Sequence, residues 1–289
     1  MSGSRSSAPG AAFLLGEHAV VYDEPALLIA VDRRATVTVE AAPKDDLPDS
    51  PYVHEAVECA RDSADETTPL RVEVDSDVPV GAGLGSSAAV TVATLHAAVR
   101  ELGEPMSVGA VAREAHAVER SVQGAASPAD TYTSATGGYA VVEGDESRTL
   151  DAPEARFVVG YDGGSAPTGE MVENVAELVE ENDVASSLVG SIGELSRRGV
   201  EHAESGEFGS VADLMDINHG LLNSLGVSSS SLSRMVWAAR DAGGSAKLTG
   251  AGGAGCVVAY PATDEVREAV SEEAKDTFVV SPAEGVRPE

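Results

Sequence analysis

PVGAGLGSSA, residues Pro79–Ala88, stands between an alternating run over Leu70–Val78 and an alanine-rich run from Ala88 to about Arg100. Alternation predicts a strand and the alanine-rich run a helix, so these ten residues form a strand-to-helix turn. Gly81, Gly83 and Gly85 let the backbone turn and approach a ligand closely. Ser86 and Ser87 stand where the helix begins and its first amide N–H groups lack intrahelical acceptors. A helix start favours an anion by roughly 0.3–1 kcal/mol, and convergent N–H donors add to this. Pro79, Gly81, Ala82, Gly83, Leu84, Gly85, Ser86, Ser87 and Ala88 are therefore a candidate phosphate seat; read alone, they are equally a tight turn and a helix cap. The stretch is neither the Walker lysine loop nor the dinucleotide fingerprint, since no Gly-Lys-Ser/Thr occurs and the glycines fall at another spacing.

Two further segments are punctuated by glycine: SAPGAAFLLGEHAVVYDEPAL, Ser7–Leu27, and KLTGAGGAGC, Lys247–Cys256. In this order the three resemble the motifs of the GHMP small-molecule kinases, and GEHAVVY, Gly16–Tyr22, resembles the mevalonate kinase branch of that superfamily. Ile217–Val227 and Ala126–Thr131 carry the same resemblance. It implies an α+β fold of two domains, a ribosomal-S5-domain-2-like one over residues 1–150 and a ferredoxin-like one over residues 151–289. It further implies transfer of phosphate from ATP to the 5-hydroxyl of mevalonate, with Mg²⁺ as cofactor and a homodimer as a common assembly. Carried over position by position, Ser86 and Glu119 hold Mg²⁺, Asp130 is the catalytic base, and the Pro79–Ala88 loop holds the nucleotide. Glu17, His18, Thr168, Gly250, Ala251 and Gly252 lie toward the acceptor.

The residues themselves leave blander readings open. Glu119 falls with His116 on the polar edge of a helix predicted over Val108–Gln123, where it is also placed to pair with Arg120 or Arg113. Ser127-Pro128 reads as a cap and first helical residue, which puts Asp130 at the third position, where an acid steadies a helix start without catalysis. Thr168 is equally an N-cap. Lys247, one of three lysines in the chain, falls on a strand where a surface or structural role is open. One departure matters: the family's first motif reads Pro-Gly-Lys, and here Pro9-Gly10 is followed by Ala11. A fixed cation near the reacting centre stabilises phosphate charge, so its loss predicts low turnover or a homologue that binds without catalysis. Another GHMP kinase acting on phosphomevalonate, homoserine or shikimate is the rival among enzymes. A phosphorylated acceptor calls for an additional basic cluster, and none accompanies these motifs.

Composition sets the surroundings. The 289 residues, 43% of them hydrophobic, suffice for one large or two closely packed domains. Acidic residues number 48 against 19 basic, a net charge of -29. Such a surface disfavours nucleic acid and anionic membranes, and it reads as adapted to a salt-rich cytoplasm, where molar salt shortens the Debye length to about 3 Å. No apolar run reaches the roughly 18–20 residues of a spanning helix, and Met1–Ser7 lacks the apolar core of a signal peptide. Cys59 and Cys256 form no metal or disulfide pattern. Strands are expected at Phe13–Leu15, Ala26–Val31, Ala35–Ala41 and Tyr139–Glu143, and the polar stretch Gly144–Glu154 is the expected domain boundary.

Overall fold

The computed structural model describes residues 3–124 and 126–289; Met1 and Ser2, the head of the polar N-terminal stretch, lie outside the described residues. The first half runs β1 (Ser4–Leu15), a 3-10 turn (Ala19–Tyr22), β2 (Ala26–Ala41), α1 (Pro51–Ala64), β3 (Leu70–Ser76), α2 (Ser86–Glu101), α3 (Val108–Gln123), α4 (Ala129–Thr136), β4 (Tyr139–Glu143) and β5 (Glu146–Leu150). The second half runs β6 (Phe157–Tyr161), α5 (Thr168–Glu181), α6 (Asp183–Glu204), α7 (Phe208–Ser224), α8 (Ser230–Asp241), β7 (Ser245–Leu248), β8 (Cys256–Tyr260), α9 (Asp264–Glu273), β9 (Asp276–Val280) and β10 (Arg287–Pro288).

Two antiparallel sheets result, one in the order β10-β1-β2-β4-β5 with β3 also on β2, the other β7-β8-β6-β9. This is the mixed α+β arrangement the motifs imply. The sheets share one apolar core, in which Leu14, Leu27 and Ile29 of the first meet Phe157, Val159 and Val258 of the second. A second core packs α1, α2 and α3 on the first sheet, and a third packs α6, α7, α8 and α9 on the other.

β2 departs from expectation in an informative way. Its polar triplet Asp32-Arg33-Arg34 predicts a break between two strands, yet the strand is continuous. The triplet is taken up by a bulge, because Pro9 pairs with Arg34 while Gly10 pairs with Val31. Proline, which lacks an N–H, is tolerated in a central strand at such a point. Beyond the bulge the two halves of β2 take different neighbours: Ala26–Ile29 pair with β4, and Ala35–Ala41 with β3. The first half is buried on both faces and reads as a solid apolar run, whereas the second alternates.

The bulge also serves the phosphate loop. A Cβ on Gly10 would fall 2.7 Å from the Leu84 carbonyl, and the next residue, Ala11, donates its N–H to that same oxygen at 3.0 Å. The first glycine motif thus holds the second by its backbone.

Three local expectations need correction. The polar stretch Gly144–Glu154 contains β5, whose Glu146–Leu150 pairs with β4; as an edge strand it carries polar residues on exposed positions. Pro128, not Ser127, caps α4, so Asp130 is its second residue rather than its third. Likewise Pro167 caps α5 and Thr168 is its first helical residue, without a capping hydrogen bond.

The last residues return to the first sheet. Arg287 and Pro288 pair with Ser7 and Ser6, Val286 donates to the Ala135 carbonyl at the end of α4, and Ala283 donates to Ala30 on β2. Arg34 clamps this tail through the Glu284 and Gly285 carbonyls.

Candidate active site

α2 starts at Ser86 directly after Gly85, a left-handed residue at φ 61° that offers no side-chain cap. Its first N–H groups therefore stay available beside the Ser86 and Ser87 hydroxyls. They open onto a cavity of about 580 Å³ between the phosphate loop, the β1 turn, α4 and the third glycine loop.

The phosphate loop alternates. Gly81, Gly83 and Gly85 line the cavity, while Ala82 and Leu84 point into the shared core and Ala88 is buried in α2. Pro79 and Ala88 do not line the cavity. Their contribution is to hold the loop rather than to touch what it binds.

The third glycine loop has a role that its composition alone does not reveal. A Cβ on Gly83 would lie 2.2 Å from the Thr249 carbonyl, one on Gly250 2.5 Å from the Gly83 Cα, and one on Gly255 2.4 Å from the Ala82 carbonyl. The second and third motifs pack backbone against backbone, an approach that only glycine permits. Gly250 and Ala251 reach the cavity, but Gly252 is seated against the Val227 carbonyl instead.

Asp130 lines the cavity from the first turn of α4. A Cβ on Gly85 would lie 3.2 Å from Asp130 Oδ1 and 3.4 Å from the Ala11 Cβ, so Ala11 and Asp130 flank the same point. Burial pushes the Asp130 carboxyl up to about 7, helped by the negative charges of Glu119 and Glu17. Glu119 is buried rather than solvated on an edge. Its Oε1 accepts from Ser87 Oγ at 2.7 Å, with no arginine partner among the described residues, and burial raises it to about 7 as well. Three carboxylates thus face the cavity, and its lining holds neither lysine nor arginine.

At the opposite wall the β1 strand ends in an irregular turn. Gly16 takes φ 103° and His18 φ 61°, the latter a left-handed backbone uncommon for a residue with a side chain. His18 Nε2 donates to the Ala251 carbonyl at 2.9 Å, leaving Nδ1 buried with no protein partner. Burial lowers the imidazole's pKa, and the charge of Lys247 lowers it further, so the ring is neutral near pH 7. The Ala251 carbonyl, and not the adjacent Glu17, fixes the imidazole tautomer. Glu17 instead pairs with Lys247 and accepts from Asn218 Nδ2 at 3.0 Å. Burial drives Glu17 up and Lys247 down, against their mutual attraction. With Leu248 and Phe13 carbonyls also around the ammonium, the hydrogen bonds favour the ion pair.

Glu17, His18, Thr168, Ser86, Ser87, Glu119, Asp130, Gly250 and Ala251 are thereby brought to one cavity from distant parts of the sequence. Asn218, Thr249 and the buried state of Lys247 are not legible from residue type. The signal available for Lys247 is its rarity in a lysine-poor chain.

Three glycine loops closing on a carboxylate at a helix start define a small-molecule kinase of the GHMP class. The models of the GHMP kinases N-terminal domain and of the GHMP kinases C-terminal region match residues 51–138 and 200–279. The mevalonate kinase of Pyrococcus abyssi is 38% identical over 88% of this chain and 87% of its own, and that of Archaeoglobus fulgidus 36% over 98% of both. The chain belongs to the mevalonate kinase family. Among solved structures, the Methanococcus jannaschii mevalonate kinase superposes with a TM-score of 0.82 over 98% of each chain at 25% identity. No helix among the described residues is long and apolar enough to cross a membrane.

Proposed function

We propose that the protein phosphorylates the 5-hydroxyl of mevalonate with ATP. The observation that supports this most is the convergence of Asp130, the α2 start and the His18 turn on one cavity in a chain of this family. Phosphoryl transfer requires positioning and charge stabilisation more than covalent chemistry. Asp130 takes the proton of the hydroxyl as its oxygen bonds to the γ-phosphorus and the bond to the β-phosphate oxygen breaks, leaving ADP and a protonated Asp130. A carboxylate raised to about 7 is well matched to that exchange near neutrality.

Ser86 and Glu119 fit Mg²⁺. Both line the cavity, and a buried carboxylate without a counter-charge together with a serine hydroxyl is a small, hard oxygen set, suited to an ion that takes its other ligands from phosphate and water. When bound, Mg²⁺ neutralises phosphate charge during transfer. Thr168 and the neutral His18 wall the acceptor end. The setting is the cytoplasm, where ATP is supplied, and the reaction feeds isoprenoid synthesis.

ADP release from Mg-ATP, compared across mevalonate, phosphomevalonate, homoserine and shikimate, tests the reading. Turnover with mevalonate alone is expected, and turnover confined to another acceptor would overturn it. Because Ala11 faces Asp130 across Gly85, Ala11→Lys places an ammonium stem where the lining has no cation. Turnover is expected to rise roughly tenfold, about 1.4 kcal/mol of barrier; an unchanged kcat would show that the missing lysine is not what limits the rate.

The acidic surface carries its own test. With 48 acidic and 19 basic residues, self-repulsion is screened only at high ionic strength. The melting midpoint is expected to climb steadily with KCl toward molar concentrations. Equal stability without added salt would remove the case for salt adaptation.

A further inference from the structure

We propose that Lys247, which does not line the cavity, is a positioning residue that fixes the acceptor wall through Glu17. This deepens the function proposed above and rests on it for the identity of the acceptor.

Lys247 lies on β7 and is wholly buried. Its ammonium has three N–H donors, and three acceptors surround it: the Glu17 carboxylate, the Leu248 carbonyl at 2.6 Å and the Phe13 carbonyl at 3.4 Å. The other Glu17 oxygen is held by Asn218 on α7. Two residues after Lys247, Thr249 Oγ1 accepts the Phe13 N–H at 2.8 Å. Near the end of β1, where its pairing with β2 slips, both backbone groups of Phe13 are thus bound by side chains from the β7 segment.

The consequence falls on the neighbours. Glu17 is followed by His18, whose left-handed backbone places the ring against the Ala251 carbonyl, four residues after Lys247. The two segments that wall the acceptor end are therefore tied at one buried ion pair behind them. β1 and β7 belong to different sheets, so no ladder of backbone hydrogen bonds sets this register. Side chains set it. None of these hydrogen bonds goes to the phosphate loop or the α2 start; what Lys247 and Glu17 fix is the His18 turn on the acceptor side.

The test compares Lys247→Met with the charge-neutral pair Lys247→Met/Glu17→Gln, reading the melting midpoint and KM for each substrate. Wild-type turnover of mevalonate is recorded first and judges the proposed function on its own. The inference is read from the ratio of variant to wild-type KM for whichever acceptor turns over. The single variant is expected to melt lower, because it strands a buried carboxylate. The double variant is expected to regain most of the midpoint while its acceptor KM stays roughly tenfold raised and its ATP KM within about twofold. Recovery of the acceptor KM together with the midpoint would reduce the pair to scaffolding and overturn the inference. So would an ATP KM that moves as far as the acceptor KM. Should neither Lys247 variant fold, Asn218→Leu decides: it frees one Glu17 oxygen without stranding a charge, and an unchanged acceptor KM there sinks the proposal.

Discussion

Asp130→Asn is expected to lower kcat by roughly 10²–10⁴-fold while ATP affinity changes little, the effect of removing a general base. The amide keeps the size of the side chain and its place on α4 but cannot take a proton. Rapid-quench turnover and nucleotide titration read the two quantities separately. Near-normal turnover in the Asn variant would remove Asp130 from the chemistry. The pH dependence follows from the same environment. Burial and the neighbouring Glu119 and Glu17 raise the folded-state pKa to about 7 from an ordinary value of 3.8. A group whose pKa rises on folding stabilises the fold fully below its unfolded value, and that stability is lost as pH climbs through the folded value. The ligand-free protein therefore loses stability between about pH 4 and pH 7 through Asp130, and Glu119 adds to the loss over the same range. The Asn variant escapes its share, so above pH 7 it is expected to melt higher than the wild type. A variant that is more stable and nearly inactive is the joint signature of a buried base.

Gly83→Ala is the second large effect. At φ 79° a Cβ is strained by roughly 1–2 kcal/mol, and here it would also sit 2.2 Å from the Thr249 carbonyl. Backbone cannot yield there as a side-chain tip does, so the two glycine loops must part. The expected result is a loss of about hundredfold in kcat/KM, about 2.7 kcal/mol of transition-state stabilisation, with a lower melting midpoint. Gly103→Ala is the control, because that residue has φ 86° but no atom within 4 Å of its Cβ. It bears the strain alone and should lose stability with activity intact. Similar kcat/KM values in the two variants would mean that loop packing does not govern catalysis.

Much of this is legible in the sequence. Helices with a clear apolar stripe, such as Val108–Gln123, and short apolar runs bounded by glycine, such as Tyr139–Glu143, follow from the sequence pattern. The continuity of β2 across Asp32-Arg33-Arg34 is not legible, because a bulge hides a polar triplet inside a continuous strand and its partner residue lies more than twenty positions away. β5 was hidden for a related reason: an edge strand exposed to solvent carries the composition of a loop. At the site, Asp130, Glu119, Ser86 and His18 are proposed through motif resemblance, and the fold brings all four to one cavity. What residue types could not convey is depth. Glu119 and Lys247 are ordinary surface residues by type, and their burial is a property of how α3 meets α2 and how β7 meets β1. The glycines of Lys247–Cys256 were likewise readable as ligand-facing, whereas several of them face another loop.

The tail that returns to β1 bears on how the protein comes into being. The first sheet, on which Asp130's helix packs, lacks its outer strand until Arg287 and Pro288 are made, and the end of α4 lacks its Val286 partner until about the same moment. A chain synthesised only as far as β9 therefore carries an incomplete catalytic half, and maturation of that half waits for residues 283–288.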